Sequence, residues 1–235
     1  MPFATARQTT LIATLVASAA TAQAAVGGSV SAQSDARERG LSYSDNRPSA
    51  QLSLAWDGDS GWFAGARLAR ASFTAQCCSA WLQSYGGRVF ELTSGIDAEA
   101  GIVAHHYASI ARYDFQEVYL GLLGERWNLR LYHARDYYGS GEASYYGELN
   151  LRWPVVQGLA AIAHVGLLYG RGGQPLPYVA PHGATRADLR IGASWQLGAG
   201  SELQITAVTA GSGGPTTWTD TRRRSTAVLS LTTAF

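Results

Sequence analysis

Lysine is missing from this sequence: all 18 basic side chains are arginine, and 17 acidic residues leave a net charge of only +1. So balanced a chain makes no case for a nucleic-acid partner. Long apolar runs are missing too. The mean hydropathy of −0.05 is far too polar for a bundle of membrane helices. The one compact apolar stretch, Leu11 to Ala20, is short of the roughly 20 residues that a membrane helix needs. Cysteine is limited to the adjacent pair Cys77-Cys78. A bond between neighbours would require a strained ring. No further His or Cys stands at metal-binding spacing, so the pair implies neither a metal nor a cofactor, and we place it in a surface loop.

What is present begins with a targeting signal. Arg7 supplies a positive start, Leu11 to Ala20 an apolar core, and Ala22-Gln23-Ala24 a cleavage site. Residues 1–24 read as a signal peptide, and 25–235 as one domain. Within that domain the tryptophans cluster beside the shortest turns. Trp56 and Trp62 flank Asp57-Gly58-Asp59-Ser60-Gly61, Trp127 follows Gly124-Glu125, Trp153 precedes Pro154, and Trp195 comes just before Gly198. Phe235 adds an aromatic at the last strand end. Strands that cross a bilayer collect aromatics at the two water–lipid boundaries, and these six residues fit that role. The fold class is therefore all-β, a transmembrane antiparallel barrel in an outer membrane.

Period-two alternation recurs from Val26 to Phe235 and predicts about twelve strands, with the pair Val89–Gly95 and Glu99–Tyr107 the least clear. Connections alternate in length. Ala36–Pro48, Thr74–Arg88, Arg135–Ser144, Gly170–Arg186 and Gly211–Arg224 are long, whereas the turns near Trp56, Asp97, Gly124, Val156 and Gly198 are short. Long loops outside and short turns inside are the outer-membrane pattern, with both termini periplasmic. Turn chemistry suggests registers. A two-residue turn at Gly124-Glu125 pairs Leu122 with Trp127 and Leu120 with Leu129. The hairpin around Gly139 puts Arg130 opposite Glu148, and the one around Val156 brings Glu148 near His164.

These registers send Arg67, Glu91, Glu117, Tyr119, Arg130, Glu148, Arg152, His164, Asp188 and Arg190 into the lumen. The mixture of signs suits either a bracing network or a polar pore, and it argues against strong ion selectivity. His164 has no evident nucleophile beside it, and His105 and His106 point to opposite faces, so no catalytic set emerges. Arg222-Arg223-Arg224 suits contact with lipopolysaccharide phosphates. Tyr137, Tyr138, Tyr145 and Tyr146 read as an outer aromatic girdle in preference to a sugar-stacking site at the mouth.

The blocks Ser34-Asp35, Arg39-Gly40-Leu41-Ser42, Gly61-Trp62-Phe63-Ala64-Gly65, Glu117-Val118-Tyr119-Leu120-Gly121, Asp136-Tyr137-Tyr138-Gly139 and His164-Val165-Gly166 carry a resemblance. Together with Phe235, they resemble the TorF family of porin-like proteobacterial outer-membrane proteins, also labelled Gcw_chp. The likeness runs from about Val30 to the end. Ala36 and Glu38 depart from the aromatics of its opening motif, the segment around Asp97 is shortened, and Cys77-Cys78 is foreign to it. The resemblance implies passage of small polar solutes and supplies no catalytic residues. A closed structural or surface-interaction barrel is the alternative, and an outer-membrane enzyme ranks third. The implied partners are outer-membrane lipid, lipopolysaccharide and the barrel-assembly machinery, which reads the outward residues Leu229, Leu231, Thr233 and Phe235.

Overall fold

Alternation of apolar and polar residues gives a strand one lipid face and one lumen face, and a sheet built this way has no stable free edge in a membrane. The computed structural model shows how this chain resolves the problem. It describes residues 25–74, 77–170, 185–198, 200–215 and 224–235. Residues 1–24, most of the Gly170–Arg186 connection, Arg222 and Arg223 lie outside the described residues. Twelve strands close into one antiparallel barrel. They are β1 (Ala25–Gln33), β4 (Ser49–Asp57), β5 (Trp62–Thr74), β6 (Cys77–Thr93), β7 (Ile96–Tyr107), β8 (Phe115–Gly124), β9 (Trp127–Ala134), β10 (Ser144–Val156), β11 (Leu159–Gly170), β12 (Thr185–Gly198), β13 (Ser201–Ala210) and β14 (Ser225–Ala234). Each pairs with the next, and β14 closes the ring onto β1. Between β1 and β4, the two short strands β2 (Arg37–Glu38) and β3 (Leu41–Ser42) form a separate hairpin.

The two faces separate cleanly. On β11, Val165 and Leu167 are exposed outward while His164 and Leu168 are buried inward. Leu120, Leu131, Leu151, Leu189, Ile191, Ile205 and Leu229 continue the exposed apolar surface around the barrel. Trp56, Trp62, Trp153, Trp195 and Phe235 are all exposed at the short-turn end, with Trp127 half-buried there. Two arginines lie over this ring of aromatics: Arg126 stands 4.5 Å from the Trp153 ring centroid, and Arg88 5.5 Å from that of Trp62. At the other end Tyr145 and Tyr169 sit opposite each other and face outward. From Tyr145 to Trp153 is about 27 Å along β10 at the usual strand rise. A tilt of about 40° reduces that to a height of about 20 Å, close to the apolar band of outer-membrane barrels.

Three expectations about local structure need correction. Thr74–Arg88 is not a long loop: residues 77–88 belong to β6 and pair with β5 as far as Thr74↔Cys77. The glycine pair Gly86-Gly87 interrupts the alternation there and hides the strand in the sequence. Cys77 and Cys78 accordingly open a strand, and their side chains lie outside the described residues. Second, the β8–β9 turn is Glu125-Arg126, because Gly124 pairs on as strand and does not adopt the positive φ that a turn there would need. Tyr119 therefore faces Tyr132, and Leu120 faces Leu131, two residues from the expected register, which preserves every face. Third, Tyr137, Tyr138 and Tyr146 are not an outer girdle. All three are buried inside the long-loop end, with Tyr107, Tyr113, Phe115, Trp81 and Leu168. Of the four tyrosines, only Tyr145 faces lipid.

Candidate functional site

The connection between β1 and β4 folds inward and crosses the lumen. Asp35 organises it, accepting hydrogen bonds from Arg37 Nε at 2.6 Å, Ser42 Oγ at 2.5 Å and Ser44 Oγ at 3.0 Å. The tip is a two-residue turn, Arg39-Gly40, with φ of 48° and 76°. Two positive φ values suit a tight hairpin, and arginine tolerates its place there poorly while glycine fits. Gly40 is also required for space, since a Cβ would stand 2.6 Å from the Cβ atoms of both Asp188 and Ala210.

Every side of the hairpin meets a different wall. Arg39 Nη2 donates to Glu117 Oε2 on β8 at 2.6 Å, and its guanidinium lies 4.3 Å from the Tyr146 ring centroid on β10. Burial alone would depress the Arg39 guanidinium, but Glu117, Tyr137 and Glu38 together outweigh that and raise it. Glu38 accepts from Arg67 Nη2 on β5 at 3.1 Å. Tyr43 packs on Trp81 of β6 with ring centroids 4.9 Å apart, and its carbonyl accepts from Ser72 N. Above the hairpin, burial pushes the Tyr137 and Tyr138 hydroxyls above the ordinary tyrosine range, with Arg39 opposing.

Below it, charged residues pair across strands. Arg130 donates to Glu99 through Nε and, at 3.3 Å, through Nη2. The strand between them holds Gly121, paired with both in register. A Cβ at Gly121 would sit 2.5 Å from Glu99 Oε1, so the missing side chain is the gap through which this pair forms. His105 is bonded to Glu117 at 3.3 Å. His164 bonds Asp188 at 2.8 Å and Asn150 at 2.7 Å. Arg152 pairs with Glu202 at 2.8 Å. A cavity of about 100 Å³ opens among Glu38, Tyr85, Glu99, Tyr119, Arg130 and Glu148, enough for a few water molecules.

The residues expected in the lumen all belong to inward-facing positions, with particulars the sequence did not give. Arg130 is indeed opposite Glu148 in register, but its ion-pair partner is Glu99. Glu148 instead accepts from the Tyr132 hydroxyl at 3.3 Å and stands 4.0 Å from His164. His164 is directly opposite Asn150, which leaves Glu148 near it as expected. Glu91 is exposed at the short-turn mouth and Arg190 half-buried on β12. Sequence reasoning missed Glu38, Arg39, Glu99, His105 and Glu202. Glu99 and His105 share the parity of the buried Val103 and Tyr107, a signal that a firmer reading of β7 would have yielded.

A family model described as "Bacterial protein of unknown function (Gcw_chp)" matches residues 17–235. No curated protein sequence matches the chain. Among solved structures, it is similar to the NanC porin, at 11% identity and a TM-score of 0.59, covering 90% of this chain and 99% of that one. The KdgM porin gives 10% identity and a TM-score of 0.54, with the same two coverages. An outer membrane channel from Pseudomonas putida F1 gives 17% identity and a TM-score of 0.50, covering 92% and 96%. At these identities the likeness shows a shared barrel fold.

Proposed function

Because the chain belongs to the Gcw_chp family of bacterial proteins of unknown function, we propose from its own geometry that it is an outer-membrane channel for small polar solutes. The TorF label, with its porin-like reading, is part of the same proposal. The observation that carries it is the interior. Charged pairs line the lumen at several levels, from the half-open Arg152–Glu202 through the buried Arg130–Glu99 to the buried Arg39–Glu117, and a polar cavity opens between them. Desolvating so many charges is costly, and apolar filling would brace a barrel at least as well. The ion pairs balance, which suits small polar solutes more than one sign of ion.

The apolar outer surface suits outer-membrane lipid, the aromatic ends its two interfaces, and lipopolysaccharide and the assembly machinery are the partners that follow. Residues 1–24 act as the signal peptide, and both termini stand on the periplasmic side with the short turns. A catalytic reading is disfavoured because, among the described residues, His105 and His164 bond Glu117, Asp188, Asn150 and the Tyr146 hydroxyl and neither bonds a serine, threonine or cysteine nucleophile. One observation favours a second reading, a closed structural barrel: the hairpin crosses the lumen. Conductance of the refolded protein in a planar bilayer tests the two. Discrete, salt-dependent openings support the channel; a folded but silent barrel refutes it.

A further inference from the structure

The hairpin's contact with the wall is the least satisfied part of the described interior. Ten buried side-chain nitrogens and oxygens have no hydrogen-bond partner, and five of them are Arg39 Nε, Arg39 Nη1, Glu117 Oε1, Arg67 Nε and Trp81 Nε1. These atoms belong to the hairpin tip or to side chains that it touches on β5, β6 and β8. Buried polar groups without partners cost free energy, and undocking would return each of them to water. The tip adds its own cost, because Arg39 holds a positive φ that a non-glycine residue rarely adopts. Against these costs stand the Arg39–Glu117 pair, the Glu38–Arg67 pair and the Tyr43–Trp81 contact.

The hairpin is also built to move as one piece. Asp35 gathers Arg37, Ser42 and Ser44 within the connection itself, so its internal bonds survive if the contacts to the wall break. By contrast, the wall contacts described above are made by side chains, apart from the backbone bond from Ser72 N to Tyr43 O. β2 and β3 pair only with each other and join no barrel strand.

We propose that the Arg37–Ser42 hairpin is a displaceable gate, latched by Arg39 on Glu117 and seated by Gly40 against Asp188 and Ala210, and that its undocking opens the channel. The gate rests on the channel reading proposed above and adds its regulation. Docked, it stands over the cavity of about 100 Å³; undocked, it clears the lumen between β5 and β13.

Single-channel recording separates the two ideas. The set comprises wild type, Arg39→Ala, Gly40→Val and a barrel with residues 36–43 replaced by a Gly-Ser-Gly linker, each first shown to be folded by heat-modifiable migration. Arg39→Ala removes the latch and Gly40→Val the seat, so each should raise the open fraction by about tenfold or more, the scale of a modest shift in a two-state balance. The linker variant should stay open at a larger conductance. If all four folded proteins conduct alike, the channel stands and the gate is overturned. A folded linker variant that passes no current overturns both.

Discussion

Arg130 is the side chain whose removal discriminates best between the pairing legible in the register and the pairing that forms. Its guanidinium is bonded to Glu99, and the two side chains retain 11% and 1% of their exposure. Taking away one member of so buried a pair leaves an uncompensated charge, at a cost of about 3–5 kcal/mol. Arg130→Ala and Glu99→Ala should each approach that range, and the double change should cost less than the sum, with a coupling of about 2–3 kcal/mol. Glu148→Ala should cost about 1 kcal/mol, the value of its bond from Tyr132, and should couple only weakly to Arg130. Gly121→Ala gives an independent check: its Cβ would meet Glu99 Oε1 at 2.5 Å, and crowding of this kind costs roughly 1–3 kcal/mol. Denaturant unfolding of the protein in detergent micelles, followed by tryptophan fluorescence, reads all of these. Equal coupling of Arg130 to Glu148 and to Glu99, or strictly additive losses, would refute the reasoning.

Further outcomes follow from other parts of the barrel. A tag inserted after Ser109 should be reached by antibody on intact cells, and one after Glu125 only after the outer membrane is permeabilised; the opposite labelling would invert the orientation. Removing Phe235 should lower the amount of heat-modifiable folded protein in outer membranes. So should Gly28→Val, because the Phe235 ring lies where that side chain would go, and unchanged folded levels in both would deny the ring its role. Arg126→Ala should cost about 0.5–1 kcal/mol through its contact with Trp153, and no change in unfolding would show that the contact is idle.

Where alternation alone decides structure, the sequence was legible. Lipid faces such as Leu189 with Ile191, the count of twelve strands and the Arg130–Glu148 register all follow from a period of two and from one correctly read loop. Two kinds of information were not local. The β8–β9 register turned on whether Gly124 would take a positive φ or continue the strand, and the dipeptide Gly-Glu suits both. The destination of a loop is likewise invisible in its own residues. Asp35, Arg37 and Ser42 look like ordinary surface loop polarity until Glu117 and Asp188 are known to lie within reach. For the same reason Tyr137 and Tyr138 read as a girdle, since their burial depends on the inward fold of a segment a hundred residues away. Glu99 was missed for a simpler cause: the strand carrying it has alanine and glycine on both faces, which blurs the alternation.

The closing seam has a consequence for biogenesis. β1 meets β14 from the reciprocal backbone bonds of Gly28 and Phe235 through Ser29↔Ala234 to Gln33↔Ser230 and the bond from Ser34 N to Leu229 O, a shorter run than its pairing with β4 along the whole strand. The side-chain bond between Ser31 and Thr232 there, at 2.8 Å, spans 201 positions of sequence. Contacts that distant form late, because so much chain entropy must be spent first. Until β14 is in place, β1 and β13 are the two free edges of the sheet, and either can pair with any strand in reach. A chain truncated before Ser225 would keep β1 paired with β4 but leave its other edge, and that of β13, open to a second copy of the chain.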